Sequence, residues 1–184
     1  MNEAAREAER RWPGVCHHEA AHAVFSYRAN QPIAYVTVES VAPGEGPESV
    51  ARVRYSMGDP VSIGITVAGI LSGKYAQERA ATGERKRHVP YEEFDQGFMD
   101  AIRTYTPPAG IGEDELQASI ALFSLGRDNA QKVYDSACAV AAELVERWWD
   151  EIDAVANRLL EVGRIDGAEV GRIIEGARKN DERT

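Results

Sequence analysis

Cysteine is scarce in this sequence. Only Cys16 and Cys138 are present, which is too few for a framework of several disulfide bonds. A chain of 184 residues does not need such bonds, because a chain of this size buries enough surface to fold around a hydrophobic core. Two cysteines are typical of a protein in a reducing compartment, and we expect Cys16 to be a packed thiol rather than a metal ligand.

A long hydrophobic run is also missing. The longest apolar stretch, Val61 to Leu71, is interrupted by serine and glycine and is much shorter than the ~20 residues that a membrane-spanning helix needs. The N-terminal charged segment, residues 1–12, mixes acidic and basic side chains without an apolar core, which is unlike a signal peptide. We therefore expect a cytoplasmic protein with no membrane partner.

Positive charge is in short supply as well. The chain has 21 lysines and arginines against 30 aspartates and glutamates, which gives a net charge of −9. Binding to nucleic acid requires concentrated positive charge, so we expect no nucleic-acid partner. The sequence also lacks a glycine-rich phosphate loop ending in GK[ST], and we expect its activity to be independent of ATP.

The hydropathy pattern predicts a single domain over residues 1–184 that is mostly α with a small β-hairpin sheet, an α+β fold. Apolar and polar residues alternate over residues 33–40 and 50–55, which predicts the two strands of the hairpin. Residues 175–184 are assigned to a C-terminal tail.

Helices are predicted over four stretches: residues 14–29, residues 60–82, residues 90–105, and the whole pattern from residue 113 onward. The second of these has clear boundaries, because Asp59 is a good N-cap, Pro60 suits the first turn and Gly83 suits the end. Its small residues lie on one face and are predicted to let another helix approach closely; they are Gly69, Gly73, Ala76 and Ala80. Near the C-terminus, Asp166 is predicted to cap a last helix.

Residues 18–22 read HEAAH, which matches the HExxH motif. Residues i and i+4 lie on the same face of a helix, so the imidazoles of His18 and His22 can bind one cation. Glu19 can reach a water molecule on that cation and accept its proton. These roles make His18 and His22 candidate zinc ligands and Glu19 a candidate general base.

A catalytic zinc site needs a third protein ligand. The glycine and histidine of a metzincin do not follow His22, and His17 points about 100° away from it around the helix. On the predicted helix 90–105, Asp95 lies near the edge of the apolar stripe and is the acid best placed to face inward. His88, in the preceding charged loop, remains open as an alternative ligand.

Three segments resemble the peptidase domain of FtsH-type AAA+ zinc proteases. They are HHEAAHAVFSYRANQPIAYVTV, LSGKYAQERAATG and AAELVERWWDEIDAVANRLLEVGRIDGAEVGRII. The resemblance covers most of the chain from about Pro13 to Ile174 and is closest at HEAAH. It implies a zincin-like metallopeptidase fold, and it implies Asp95 as the third zinc ligand, because those enzymes carry an aspartate ligand on the following helix.

The motif and the resemblance together predict a zinc metalloendopeptidase that hydrolyses peptide bonds in peptides or unfolded proteins. The alternative is a catalytically silent, peptidase-like module that binds a metal or a partner. A third interpretation makes the histidines core residues without a metal. The sequence leaves open the substrate, the oligomeric state and a separate ATPase partner.

The HEAAH spacing predicts about one zinc ion per chain. Changing either His18 or His22 to alanine should remove most of that zinc, because each variant lacks one of the predicted ligands. Elemental analysis after purification without chelator or affinity-tag metal measures the content. Full retention of zinc in both variants would contradict the assignment.

Overall fold

The computed structural model describes residues 13–38, 60–83, 113–123, 125 and 127–181. This part of the chain is mostly helical with one two-stranded antiparallel sheet, so the α+β class is confirmed. The elements in chain order are α1 (Pro13–Arg28), β1 (Tyr35–Thr37), α2 (Pro60–Thr82), α3 (Glu113–Phe123), α4 (Arg127–Arg147), α5 (Trp149–Val162), β2 (Arg164–Asp166) and α6 (Gly167–Asp181). None of the helices in these ranges is long and apolar enough to cross a membrane.

Helices α1 and α2 have nearly the bounds that the sequence predicts. After α1 the chain turns through Asn30, which has a positive φ of 55°. Gly83 follows α2 with φ of 72°, and its N–H donates to the carbonyl of Arg79 at 2.7 Å. A left-handed residue after the last turn is a common helix end, and glycine adopts it without steric cost. The predicted helix 90–105 lies outside the described residues, as does Asp59.

β1 has a strand partner that the sequence pattern did not predict. β1 pairs antiparallel with β2, with Val36 opposite Ile165, whereas the pattern predicted only helices from residue 113 onward, with the last one capped at Asp166. That prediction was wrong at this point. Gly163 ends α5 with φ of 76°, and its carbonyl accepts a hydrogen bond from the N–H of Val38 at 2.9 Å. A three-residue strand is too short for its alternation of burial to stand out among helices.

The second predicted strand, residues 50–55, lies outside the described residues. The cap predicted at Asp166 is confirmed, because its Oδ1 accepts a hydrogen bond from the N–H of Glu169 at 2.7 Å. α6 then continues to Asp181, into the region that the sequence analysis assigned to a C-terminal tail.

α1 lies between α2 and α5 and packs against both. Its core-facing residues are small, and Ala20, Ala21 and Val24 are almost completely buried. A Cβ at Gly69 of α2 would lie only 2.8 Å from the ring of Phe25, so the two helices approach closely where α2 has no side chain. The predicted contact face of α2 is therefore confirmed.

An ion pair fixes the C-terminal end of α1 to α5. Arg28 donates to both carboxylate oxygens of Glu151, with Nε 3.1 Å from Oε2, and its guanidinium lies 5.6 Å from the ring centroid of Trp148. Glu151 is only 6% exposed, so its charge is buried and paired. Removing one partner of such a pair leaves an uncompensated charge, which is strongly destabilising.

Two glycines of α6 should respond in opposite directions to substitution by alanine. A Cβ at Gly167 would overlap the carbonyl oxygen of Ile33, so Gly167→Ala should lower the free energy of unfolding by about 1–3 kcal/mol. A Cβ at Gly176 meets nothing within 4 Å, so Gly176→Ala should raise it by roughly 0.5–1 kcal/mol. Urea denaturation of the two variants checks both signs, and equal effects would contradict the packing at Gly167.

Candidate metal centre

The histidines of the HEAAH segment lie one turn apart on α1 and point to the same place. Their Nε2 atoms are 3.1 Å apart, and their rings meet edge to face with centroids 4.8 Å apart. Both side chains are mostly buried, with 22% of His18 and 18% of His22 exposed. The i, i+4 spacing thus brings two nitrogen donors together, as the sequence predicts.

A carboxylate from α3 completes this group. Asp114, the second residue of α3, places its Oδ2 2.8 Å from Nε2 of His18 and 3.2 Å from Nε2 of His22. The three side chains are the one set of histidine, cysteine, aspartate or glutamate groups, within the described ranges, that is arranged to hold a metal ion. A helix first turn is a favourable position for a carboxylate, because the helix dipole stabilises negative charge there.

The spacing of the three donor atoms fits a zinc ion. Bonds of about 2.0–2.1 Å at tetrahedral angles separate ligand atoms by about 3.3 Å. The distances here are 2.8, 3.1 and 3.2 Å, so the group is only slightly tighter than such a site. Two imidazoles and one carboxylate are also a donor set that catalytic zinc sites use, with a fourth position left open.

Gly73 of α2 has no side chain where this helix faces the two histidines. A Cβ at this position would lie 2.5 Å from Nε2 of His22 and 2.8 Å from Nε2 of His18. A cation bonded to both nitrogens needs room close to each of them, and a side chain on residue 73 would compete for that room. The absence of a side chain here therefore fits a bound cation.

Helix α2 also accepts hydrogen bonds from the other side of each imidazole. Nδ1 of His22 donates to the carbonyl of Gly69 at 3.1 Å, and Nδ1 of His18 donates to Oε1 of Gln77 at 3.3 Å. The carbonyl of Gly69 also accepts from the hydroxyl of Ser72 at 2.7 Å. With the Nδ1 atoms protonated, both Nε2 lone pairs are available to a cation.

The electrostatics of the group favour positive charge between the three side chains. Burial alone would raise the pKa of Asp114, but hydrogen bonds from His18 and His22 and their charges hold that pKa well below its ordinary value. Burial alone would lower the pKa of His22, but Asp114, Glu19 and the carbonyl of Gly69 raise it overall. In the absence of a metal, a proton on His22 supplies this positive charge. A bound cation would supply it in place of the proton.

Glu19 lies beside the group but is not one of its three donors. Burial raises the pKa of Glu19, the nearby histidines lower it in part, and Asp114 raises it further. A carboxylate with a raised pKa is a stronger base than a solvated one. This position is compatible with the predicted role of general base, which stays a prediction.

His17 has a different environment from its neighbour. Its ring stacks on Trp149 with centroids 5.2 Å apart, its Nε2 lies 3.0 Å from Oδ1 of Asp153, and its Nδ1 donates to the carbonyl of Pro13. It therefore joins α1 to α5 and is not part of the group formed by His18, His22 and Asp114. The two other candidates from the sequence, Asp95 and His88, lie outside the described residues.

Asp114 was missed by the sequence analysis, which predicted only that this segment is helical. A signal was present, since Asp114, Ala118 and Leu122 follow one another at steps of four residues. Ala118 is fully buried and Leu122 is 2% exposed, so this row faces the core and ends at the carboxylate. The criterion that selected Asp95, an acid in line with an apolar stripe, also selects Asp114.

No protein-family model matches the sequence, and neither does any curated protein. The chemistry available to the site follows from its donors. Two imidazoles and a carboxylate can hold a divalent cation with an open position, and an adjacent carboxylate can accept a proton.

Asp114→Ala should weaken zinc binding by more than the roughly 10–100-fold that loss of an outer-shell partner costs, because it removes a direct ligand. Asp128→Ala is the matched control, since Asp128 is an exposed aspartate in the first turn of α4, and it should retain wild-type affinity. Competition with a chromophoric chelator measures the affinity. Loss of zinc in Asp95→Ala with retention in Asp114→Ala would contradict the assignment of Asp114.

Gly73→Ala should largely abolish zinc binding, because the new methyl group occupies space next to both Nε2 atoms. Gly64→Ala, in the same helix, should retain zinc, because its Cβ makes only an ordinary contact of 3.5 Å with Val133. Metal content and far-UV circular dichroism separate loss of the site from loss of the fold. Stoichiometric zinc at wild-type affinity in Gly73→Ala would show that the space does not serve a cation.

Proposed function

We propose that this protein is a zinc-dependent metalloendopeptidase that hydrolyses peptide bonds in peptides or unfolded proteins without ATP. The observation that carries the proposal is the cluster of His18, His22 and Asp114, with Glu19 next to the first ligand in the HEAAH segment. Catalytic zinc sites of hydrolases have three protein ligands and one open position. The HExxH pattern is typical of metalloproteases, in which the glutamate is the general base.

The division of roles follows from the positions of the side chains. His18, His22 and Asp114 would hold the zinc ion, and Glu19 would accept a proton from the attacking water and pass it to the leaving amine. Zinc, when bound, supplies Lewis-acid chemistry that polarises a carbonyl and makes a water molecule more acidic. Burial of Glu19 supports this role, since its raised pKa favours proton acceptance.

A strand beside the helix that carries the ligands supports a peptide as the substrate. β1 follows α1 and, among the described residues, pairs on one side only, with β2. An extended peptide can add to the edge of such a sheet through main-chain hydrogen bonds. α1 and β1 together form the arrangement that we propose to be zincin-like, which agrees with the resemblance to FtsH-type peptidase domains.

Two histidines and one carboxylate also suit Fe(II) in oxygenases. Glu19 favours hydrolysis over that chemistry, because a half-buried carboxylate beside the first ligand has a direct use as a proton acceptor. Elemental analysis distinguishes the two metals.

Glu19→Gln should retain zinc, because Glu19 is not a ligand, and should lose nearly all hydrolysis, because an amide does not accept the proton. General-base catalysis contributes roughly 10²- to 10⁴-fold, so the loss should be easy to measure. Zinc-loaded protein is incubated with an unfolded, casein-like protein and with short apolar peptides, and cleavage is followed by mass spectrometry. Glu143→Gln, an exposed glutamate of α4, is the matched control.

Equal rates in the wild type and in Glu19→Gln, with zinc fully bound in both, would contradict the peptidase proposal. That result would favour the catalytically silent metal-binding module.

A further inference from the structure

Three residues of α2 at steps of four, Gly69, Gly73 and Gln77, adjoin the two histidines of α1. The carbonyl of Gly69 accepts from Nδ1 of His22, and Oε1 of Gln77 accepts from Nδ1 of His18. Between them, Gly73 has no side chain that would collide with the two Nε2 atoms. None of these three residues is a candidate ligand of the cation. They nevertheless contact the imidazoles of His18 and His22, which are candidate ligands.

The two hydrogen bonds decide which ring nitrogen is free. A neutral imidazole has one proton, and a histidine that binds a cation through Nε2 must carry that proton on Nδ1. The Nδ1–H group then needs an acceptor. For His22 the acceptor is a main-chain carbonyl, which no side-chain substitution removes, whereas for His18 it is the side chain of Gln77.

The side chain of Gln77 is held in place by the first turn of α1. A Cβ at Gly14 would lie 3.2 Å from Cγ of Gln77, so the stem of the glutamine packs directly against the main chain there. The residue is half-buried. Close packing on α1 restricts the rotamers of Gln77 and keeps its amide oxygen near His18.

We propose that Gln77 is a positioning residue of the metal centre: it fixes the tautomer and the ring orientation of His18 with a neutral acceptor, and so sets the zinc affinity. This inference rests on the proposed zinc site. A carboxylate in place of the amide would raise the basicity of the imidazole and strengthen its bond to the cation. The amide of Gln77 orients His18 without strengthening its bond to the cation in this way. The site therefore binds zinc less tightly than it would with a carboxylate at position 77.

The test compares zinc affinity in the full chain carrying Gln77→Leu, Gln77→Met or Gln77→Glu, by competition with a chromophoric chelator. Leucine and methionine fill similar space without an acceptor, so both should weaken binding by about 10–100-fold. Glutamate restores an acceptor and should bind zinc at least as tightly as the wild type. Gln131→Leu, an exposed glutamine of α4, is the matched control and should leave the affinity unchanged.

A second measurement reports the hydrogen bond itself. In ¹⁵N-labelled, zinc-loaded protein, the Nδ1–H resonance of His18 should be protected from exchange in the wild type and in Gln77→Glu. It should exchange faster in Gln77→Leu and Gln77→Met. Circular dichroism of each variant identifies any loss of fold. If Gln77→Leu does not fold, the comparison uses Gln77→Met, which keeps the unbranched stem of glutamine.

Wild-type zinc affinity in both Gln77→Leu and Gln77→Met would overturn the inference. Equal weakening in Gln77→Glu and Gln77→Leu would also overturn it, because it would show that residue 77 acts only through packing. Neither measurement uses peptide hydrolysis. A protein that binds zinc as expected here but cleaves nothing would therefore contradict the proposed function and leave the role of Gln77 intact.

Discussion

Close packing of α2 against α1 determines the position of the histidines. The contact depends on two glycines, because a side chain at Gly69 would collide with Phe25 and one at Gly73 would collide with the imidazoles. Glycine inside a helix costs roughly 0.5–1 kcal/mol relative to alanine, so two of them reduce the intrinsic stability of α2. What offsets this cost is burial, since α1 contributes a nearly continuous apolar surface that includes Cys16, Ala20 and Val24.

Charge is concentrated where the apolar packing stops. His18, His22, Glu19 and Asp114 bring two carboxylates and two imidazoles into a region that is mostly shielded from water. Burial raises the pKa of Glu19 and repulsion from Asp114 raises it further, while the two imidazoles attract both carboxylates. A divalent cation would compensate two negative charges at once, which neutral imidazoles do not. The geometry and the electrostatics of the group therefore point to the same occupant.

The local parts of the fold could be predicted from the sequence, and the long-range parts could not. α1, α2 and the cap at Asp166 follow from apolar periodicity and from Pro60 and Gly83, all of which act over a few residues. The pairing of β1 with β2 joins segments far apart in the chain, and three-residue strands carry almost no pattern of their own. The two histidines follow from one short motif, whereas Asp114 comes from a helix that the motif does not mention. The only sign of it was the steps of four residues from Asp114 to Ala118 and Leu122. The same criterion, an acid in line with an apolar stripe, had already favoured Asp95 as the third ligand.

The antiparallel pairing of Val36 with Ile165 has a consequence for the order in which the molecule forms. α1 leaves the ribosome well before α5, β2 and α6, which come later in the chain. Until then, neither the buried side of α1 that faces α5 nor β1 has its partner. Contacts between such distant segments slow folding, because a long loop must close before they contribute. The helix that carries both histidines thus lacks its full packing until α5 and α6 have been made, and apolar surface exposed in this way is prone to aggregation.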